Sequence, residues 1–313
     1  MTQALHILRY GEPEGLVLAD VPAPAPLAGE VAIEVHVAGV NYPDLLVVRG
    51  IYQNLASLPF SPGKEIAGIV PENLDLADAI GLGLTFQTAH FALFARGQMK
   101  RGESVLVTGA TGGVGISTVQ LAKACGATVI AGCMTEAKAG FARAHGADHV
   151  IMLDRSDLEQ TLKAEVAALT GGRGVDVVVD NLGNGIFEAC LRALAWCGRI
   201  VVVGFAAGAP ATLRSNYLLI KNISATGLHW SDYRDRVPEQ VRDAQRDIFT
   251  LWRRGLLTSP VTDALRLEDA PPALRRIAEA STSVVEASWY RSPTTTSQPS
   301  SAWSSRRATW AGA

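Results

Sequence analysis

The residues best suited to chemistry lie in one glycine-rich turn. Ser104–Thr108 (SVLVT) is a short apolar run, and it leads directly into Gly109-Ala110-Thr111-Gly112-Gly113-Val114-Gly115. A helical pattern follows from Val114 to Cys125. The spacing is GxGxxG, with Ala110 in the first place and Gly112 and Gly115 in the others. Such a turn must be tight, must let a backbone approach a pyrophosphate, and must let a helix pack close on a strand. The helix start then offers unpaired N–H groups and a partial positive charge to phosphates. Because the motif follows a strand and opens a helix, the residues predict dinucleotide binding at Ala110, Gly112, Gly113, Val114 and Gly115. An NAD site usually places Asp or Glu about 20 residues beyond the glycines, on the ribose hydroxyls. That stretch here reads Ala131-Gly132-Cys133-Met134, with no acid, and Thr135 and Lys138 follow. A lysine there can neutralise a 2′-phosphate, which favours NADP.

Other chemistries find less support. The four cysteines, Cys125, Cys133, Cys190 and Cys197, contain no CxxC, and the six histidines form no HxH pair. No metal site is predicted, and the thiols are expected to be buried and inert. Thr108, Gly109, Gly113 and Gly115 also satisfy TGxxxGxG, and Tyr217 to Lys221 satisfies YxxxK, the pattern of short-chain dehydrogenases. No serine lies 12–14 residues before Tyr217, so that match is read as chance.

The elements that must hold the glycine turn are legible around it. Apolar runs at 104–108, 127–131, 148–152, 175–180, 199–203 and 223–228 alternate with helical patterns at 114–125, 138–145, 157–169 and 186–195. Continuous apolar strands between helices indicate a parallel sheet covered on both faces. Six of them suit a doubly wound α/β fold. The first 70 residues differ. Glu30–Val37 (EVAIEVHV) alternates, with Val31, Ile33, Val35 and Val37 on one face, which reads as an antiparallel β region. Helical patterns return at 238–254 and 267–278. From Ser281 to Ala313, 14 residues are Ser or Thr and three are Trp, without periodicity, so a disordered tail is expected.

The 313 residues carry a net charge of −2, with 48% hydrophobic and 19% charged residues. That balance excludes the basic footprint of a nucleic-acid binder and the composition of a disordered chain. No apolar run reaches the ~18 residues a membrane helix needs. The N-terminal MTQALHILRYGEPE has no secretory pattern, so a cytoplasmic location is expected.

Motifs beyond the glycine turn make the chain resemble the zinc-free medium-chain dehydrogenases/reductases of the NADPH:quinone oxidoreductase group. They are Ala38-Gly39-Val40-Asn41-Tyr42-Pro43-Asp44, Arg49-Gly50-Ile51-Tyr52, Leu58 to Gly68, Thr85–Leu93, Asp180–Gly183, Val203-Gly204-Phe205-Ala206 and Lys221 to Trp230. The resemblance implies a Rossmann domain joined to a GroES-like β-barrel domain, NADPH as cofactor, and hydride transfer to a quinone or activated enone. It places Thr88, Gly204, Phe205 and Leu228 beside the nicotinamide and Gly183 among the cofactor-binding residues. Asn41, Asp44 and Tyr52 fall on the substrate side. Asn41 and Asp44 have a second reading as caps of a helix starting near Pro43. The zinc enzymes of the superfamily place ligands at positions that here read Asn41 and Lys64, with Leu84 near the third, which again implies no metal. A homodimer is the family expectation.

Two departures qualify the resemblance. Between Val70 and Pro71 several barrel strands, roughly 40 residues at ordinary strand and turn lengths, have no counterpart. After Ala280 the family's closing strand is replaced by the Ser/Thr/Trp tail. The expected organisation is a truncated GroES-like region at 1–94, an NADP-binding domain at 95–227, a return segment at 228–280 and a tail at 281–313. Two alternatives stay open: a dinucleotide-binding protein with little turnover, and an enoyl-thioester reductase.

Overall fold

A computed structural model of the chain describes residues 2–23, 25, 33, 35–67, 76–261 and 265–279. The expected break near Val70 and the tail from Ser281 lie outside them. The described strands are β1 (Thr2–His6), β2 (Val17–Val21), β3 (Val37–Ala38), β4 (Ile66–Ala67), β5 (Ser104–Thr108), β6 (Thr128–Cys133), β7 (His149–Met152), β8 (Val175–Asp180), β9 (Leu194–Val202) and β10 (Ser224–Gly227). The helices are α1 (Tyr42–Val48), α2 (Leu76–Gly81), α3 (Leu84–His90), α4 (Gly113–Ala124), α5 (Glu136–Ala144), α6 (Leu158–Leu169), α7 (Asn184–Ala193), α8 (Asn216–Lys221), α9 (Trp230–Arg236), α10 (Pro238–Arg253) and α11 (Ala270–Ala278).

Six parallel strands form one sheet in the order β10-β9-β8-β5-β6-β7, the doubly wound arrangement the sequence predicts. Period-two alternation splits each strand between two cores. Val105 and Val107 of β5 point to one face, with Val129 and Ala131 of β6 and Val201 of β9. Phe86 of α3, Ile116 and Val119 of α4, and Ile248 of α10 cover that face. Leu106, Ile130, Val178 and Ile200 point to the other face, under Leu162 and Val166 of α6 and Phe187 and Cys190 of α7. Helices on each face bury the sheet twice over, which is why these strands read as continuous apolar runs. The helix α4 is buried from Gly115 through Ala122, not along a single stripe, because α3 packs on its outer side.

A smaller lobe holds a third core of Ile7, Leu45, Val47, Val48 and Leu274. The first two strands pair antiparallel, and α11 returns from the far end of the chain to pack on α1. Arg275 of α11 donates to Glu14 at 2.7 Å.

Three expectations need correction. The alternating run before Val37 predicts a strand with a buried face. Among its described residues only Val37 is in a strand and buried, while Ile33 is 53% exposed and Val35 is exposed too. The strand that pairs with Val37–Ala38 is the two-residue β4, too short to cover a longer run. The helix expected to reach Ala195 stops at Ala193, and β9 begins at Leu194. Gly174, at φ +86°, lets the backbone of 193–195 come so close that a Cβ there would stand 2.7 Å from the Ala193 oxygen. Finally, Cys197 is exposed rather than buried, at φ +60° in an irregular part of β9, whereas Cys133 and Cys190 are buried as expected.

Candidate active site

The glycine turn lies at the carboxyl end of β5, where the strand order reverses between β5 and β8. Open α/β sheets bind ligands at that crevice. Gly109 adopts φ +59°, a conformation that favours glycine. A Cβ on Gly115 would overlap the Gly109 carbonyl oxygen and stand 2.9 Å from the Ala110 Cα, so no larger residue fits under the turn. A Cβ on Gly112 would meet nothing closer than 3.5 Å. Gly112 is the N-cap of α4 and is exposed, so its bare backbone faces the crevice. Ala110, Gly113 and Val114 complete the turn, which is the one the sequence assigns to a pyrophosphate.

The opposite wall of the crevice is built by Asp180 at the end of β8. This carboxylate is fully buried and accepts from the Thr108 hydroxyl at 2.6 Å, from Leu182 N–H at 3.2 Å and from Gly183 N–H at 3.1 Å. Burial raises its pKa, and those donors oppose the rise. Asn181 Nδ2 donates to the Thr108 carbonyl at 2.8 Å, which ties the two strand ends together. Gly183 has φ +71°, and a Cβ there would stand 3.0 Å from the Phe205 ring. Close beyond it lie Gly204, whose Cβ would come within 3.5 Å of the Asn181 oxygen, and Phe205, partly exposed. Leu228 follows β10 and is buried. Thr88 is buried on α3, but its hydroxyl donates to the Leu84 carbonyl of its own helix at 2.8 Å.

At the end of β6, Thr135 caps α5 and accepts from Lys138 N–H at 3.3 Å. The lysine stands one turn from the strand end, as the spacing predicts. The other pattern match resolves differently. Lys221 Nζ donates to the Arg192 and Leu194 carbonyls, at 2.6 and 2.9 Å, so it closes a helix end and is not spaced for catalysis with Tyr217.

On the smaller lobe, Asn41 and Asp44 form the capping box of α1, and Asn41 N–H donates to Asp44 Oδ2 at 2.8 Å. Asp44 is buried, and its Oδ1 has no hydrogen-bond partner. Burial pushes its pKa up to about 6, against the pull of the Asn41 N–H and the positive charge of Lys64. The Lys64 ammonium stands over the Tyr52 ring, 4.0 Å from its centre. So Lys64 joins Tyr52 and Asp44 into one group.

Glu65 is a residue that its sequence context does not single out. One oxygen, Oε2, accepts from Asn41 Nδ2 at 3.1 Å, and the other, Oε1, accepts from Leu84 N–H at the start of α3. Burial raises its pKa to about 7, opposed by those two bonds and reinforced by the nearby Asp44. The signal that could have found it is indirect: the glycines Gly39 and Gly83 flank it. A Cβ on Gly39 would come 2.7 Å from Oε2, and one on Gly83 would overlap Oε1. Among the described residues no group of three His, Cys, Asp or Glu converges as a metal site would require.

The chain matches two family models, the alcohol dehydrogenase GroES-like domain over residues 27–137 and the zinc-binding dehydrogenase domain over 113–246. A bovine (Bos taurus) quinone oxidoreductase-like protein 2 is 32% identical over 304 residues, covering 84% of this chain and 86% of that protein. Because 84% of 313 residues is fewer than 304, the bovine protein carries positions with no counterpart here. A mycobacterial protein solved in complex with NADPH superposes with a TM-score of 0.84 at 26% identity, over 93% of this chain and 99% of that one. The quinone oxidoreductase of Thermus thermophilus, also solved with NADPH, gives 0.79 at 27%, over 93% and 100%. The fold and the crevice therefore define a two-lobed medium-chain dehydrogenase/reductase. Within that class, the chain belongs to the quinone oxidoreductase family.

Proposed function

We propose that this chain binds NADPH and reduces a quinone or an activated enone without a metal ion. The observation that carries the reading is the bare-backbone cradle at Gly112–Gly115, facing the switch point. It is supported by the NADPH-bound relatives with the same fold. The bound dinucleotide supplies the hydride from its nicotinamide C4. The N–H groups at the start of α4 hold the pyrophosphate, and Thr135 and Lys138 take the 2′-phosphate. Thr88, Gly183, Gly204, Phe205 and Leu228 line the nicotinamide slot and keep water out.

The substrate side falls to Asn41, Asp44 and Tyr52. Tyr52 offers a ring on which a planar acceptor stacks. Asp44 holds a proton up to about pH 6, a proton store behind Asn41 and Tyr52 on which the reduced acceptor draws. The buried carboxyl is then recharged from solvent. None of the catalytic assignments calls on a metal: the donors are a carboxyl, a carboxamide and a phenol.

The experiment is NADPH oxidation, followed by its near-ultraviolet absorbance, with simple quinones and enones. Turnover with NADPH well above that with NADH is the expected result. Tight NADPH binding without turnover on any acceptor would leave a dinucleotide-binding protein and overturn the reductase reading.

A further inference from the structure

The strongest feature outside the assigned site is the Glu65 carboxylate. It lies where three elements meet and is held from two sides. Asn41 Nδ2, at the start of α1, donates to Oε2. Leu84 N–H, the first residue of α3, donates to Oε1. The next residue, Thr85, accepts from the Ser117 hydroxyl of α4 at 3.0 Å, and both of those side chains are buried. Three polar links therefore run from the substrate-side Asn41 to the helix that opens at the glycine cradle. The space for the carboxyl is carved by two glycines in different segments, since a Cβ on Gly39 or Gly83 would strike one of its oxygens.

We infer that Glu65 is a positioning residue: it sets the small lobe, and the orientation of the Asn41 carboxamide, against the cofactor-binding domain. A carboxylate has the right chemistry, because both partners are donors and both oxygens accept. A glutamine does not. Its oxygen keeps the Leu84 N–H, but its NH₂ meets the NH₂ of Asn41, and Asn41 relieves the clash only by turning its oxygen inward. The polarity that Asn41 presents is then reversed, and its oxygen leaves the Asp44 N–H that it accepts in the capping box of α1. The inference rests on the proposed assignment of Asn41 to the substrate side.

The test is Glu65→Gln beside Gly39→Ala, which displaces the same carboxylate without altering its charge. NADPH affinity by fluorescence titration, acceptor kcat and KM, and Tm are measured for both. The expected result is NADPH affinity within about threefold of the natural chain, a fall of tenfold or more in acceptor kcat/KM, and the same pattern in both variants. A matching loss of NADPH affinity, or no change in kcat/KM, overturns the inference. If the natural chain turns over no acceptor, the reductase reading fails on its own. The joint is then read from Tm alone, where Gly39→Ala is expected to lower Tm by several degrees and Glu65→Gln by less. Equal Tm across all three would overturn it.

Discussion

Two glycines three residues apart make opposite predictions, and together they test how the cradle works. Gly115 is enclosed: a Cβ would overlap the Gly109 oxygen and stand 2.9 Å from the Ala110 Cα, where relaxed contacts lie at roughly 3.5 Å or more. In Gly115→Ala the turn and α4 must part by about 1 Å. Overpacking of this kind costs roughly 1–3 kcal/mol, which in a chain of this size lowers Tm by about 2–12 °C. The shift also draws the helix N–H groups from the phosphates, each worth roughly 1.5–3 kcal/mol as a bond to a charged group. Losing one such bond raises the NADPH Kd by about 10–100-fold. Gly112 is open: its φ is −74°, and a Cβ would meet nothing closer than 3.5 Å. Gly112→Ala costs under roughly 1 kcal/mol, the difference between glycine and alanine at an N-cap. Its methyl, however, projects where the pyrophosphate must come close, so NADPH Kd is expected to rise by the same 10–100-fold. Gly140→Ala on exposed α5, where a Cβ meets nothing, serves as control and gains up to about 1 kcal/mol. The assays are thermal melts and fluorescence titration with NADPH. A Gly112→Ala variant that binds NADPH like the natural chain would refute the claim that this backbone faces the pyrophosphate. An unchanged Tm in Gly115→Ala would refute the packing argument.

Other perturbations reach the two charged regions and the sheet edge. Asp44 and Glu65 titrate near 6 and 7 when folded, above their ordinary values of 3.8 and 4.5. Well below those ordinary values both are protonated in either state, and their contribution is fully present. As pH rises toward 7 the unfolded chain sheds the protons first, so the folded chain loses stability, on the order of 3 kcal/mol for Asp44. Asp44→Asn keeps an acceptor for Asn41 N–H and removes the titration. Its Tm relative to the natural chain should climb between about pH 4 and 7, and a constant difference would contradict the burial argument. Lys138→Ala is expected to raise the NADPH Kd by about 10–100-fold, the worth of one charged bond, and leave the NADH Kd unchanged; equal effects on both would remove Lys138 from the 2′-phosphate. Among the described strands, β10 has a free edge, and Leu219 of the preceding α8 is 79% exposed. We expect a homodimer through that edge, with Leu219→Lys shifting sedimentation toward monomer; an identical profile would place any dimer elsewhere.

The cofactor half was legible because its chemistry constrains the backbone. A tight turn, a close approach and a buried helix each demand glycine at a fixed spacing, so Gly109, Gly112 and Gly115 show the turn in single letters. The six strands were legible for a similar reason, since a sheet covered on both faces leaves little room for polar positions inside a strand. What failed was local and geometric. The early start of β9 depends on Gly174 letting the backbone of 193–195 approach, and the exposure of Cys197 follows from its left-handed φ. Neither is a pattern of residue types.

Glu65 shows why the substrate half is harder to read. In sequence it is one acid in the Pro-Gly-Lys-Glu run of the Leu58–Gly68 motif, and nothing there says what it bonds. Its role depends on Asn41, which is 24 residues earlier, and Leu84, which is 19 residues later. The only trace in the sequence is negative: Gly39 and Gly83, far apart in the chain, both give up a side chain to the same carboxyl. Each looks like a turn residue when taken alone. A glycine held open for a ligand and a glycine held open for a carboxyl are indistinguishable as letters. Substitution separates them, because alanine at Gly112 should impair cofactor binding while the fold stands, whereas alanine at Gly39 should impair the joint between the lobes while cofactor binding stands.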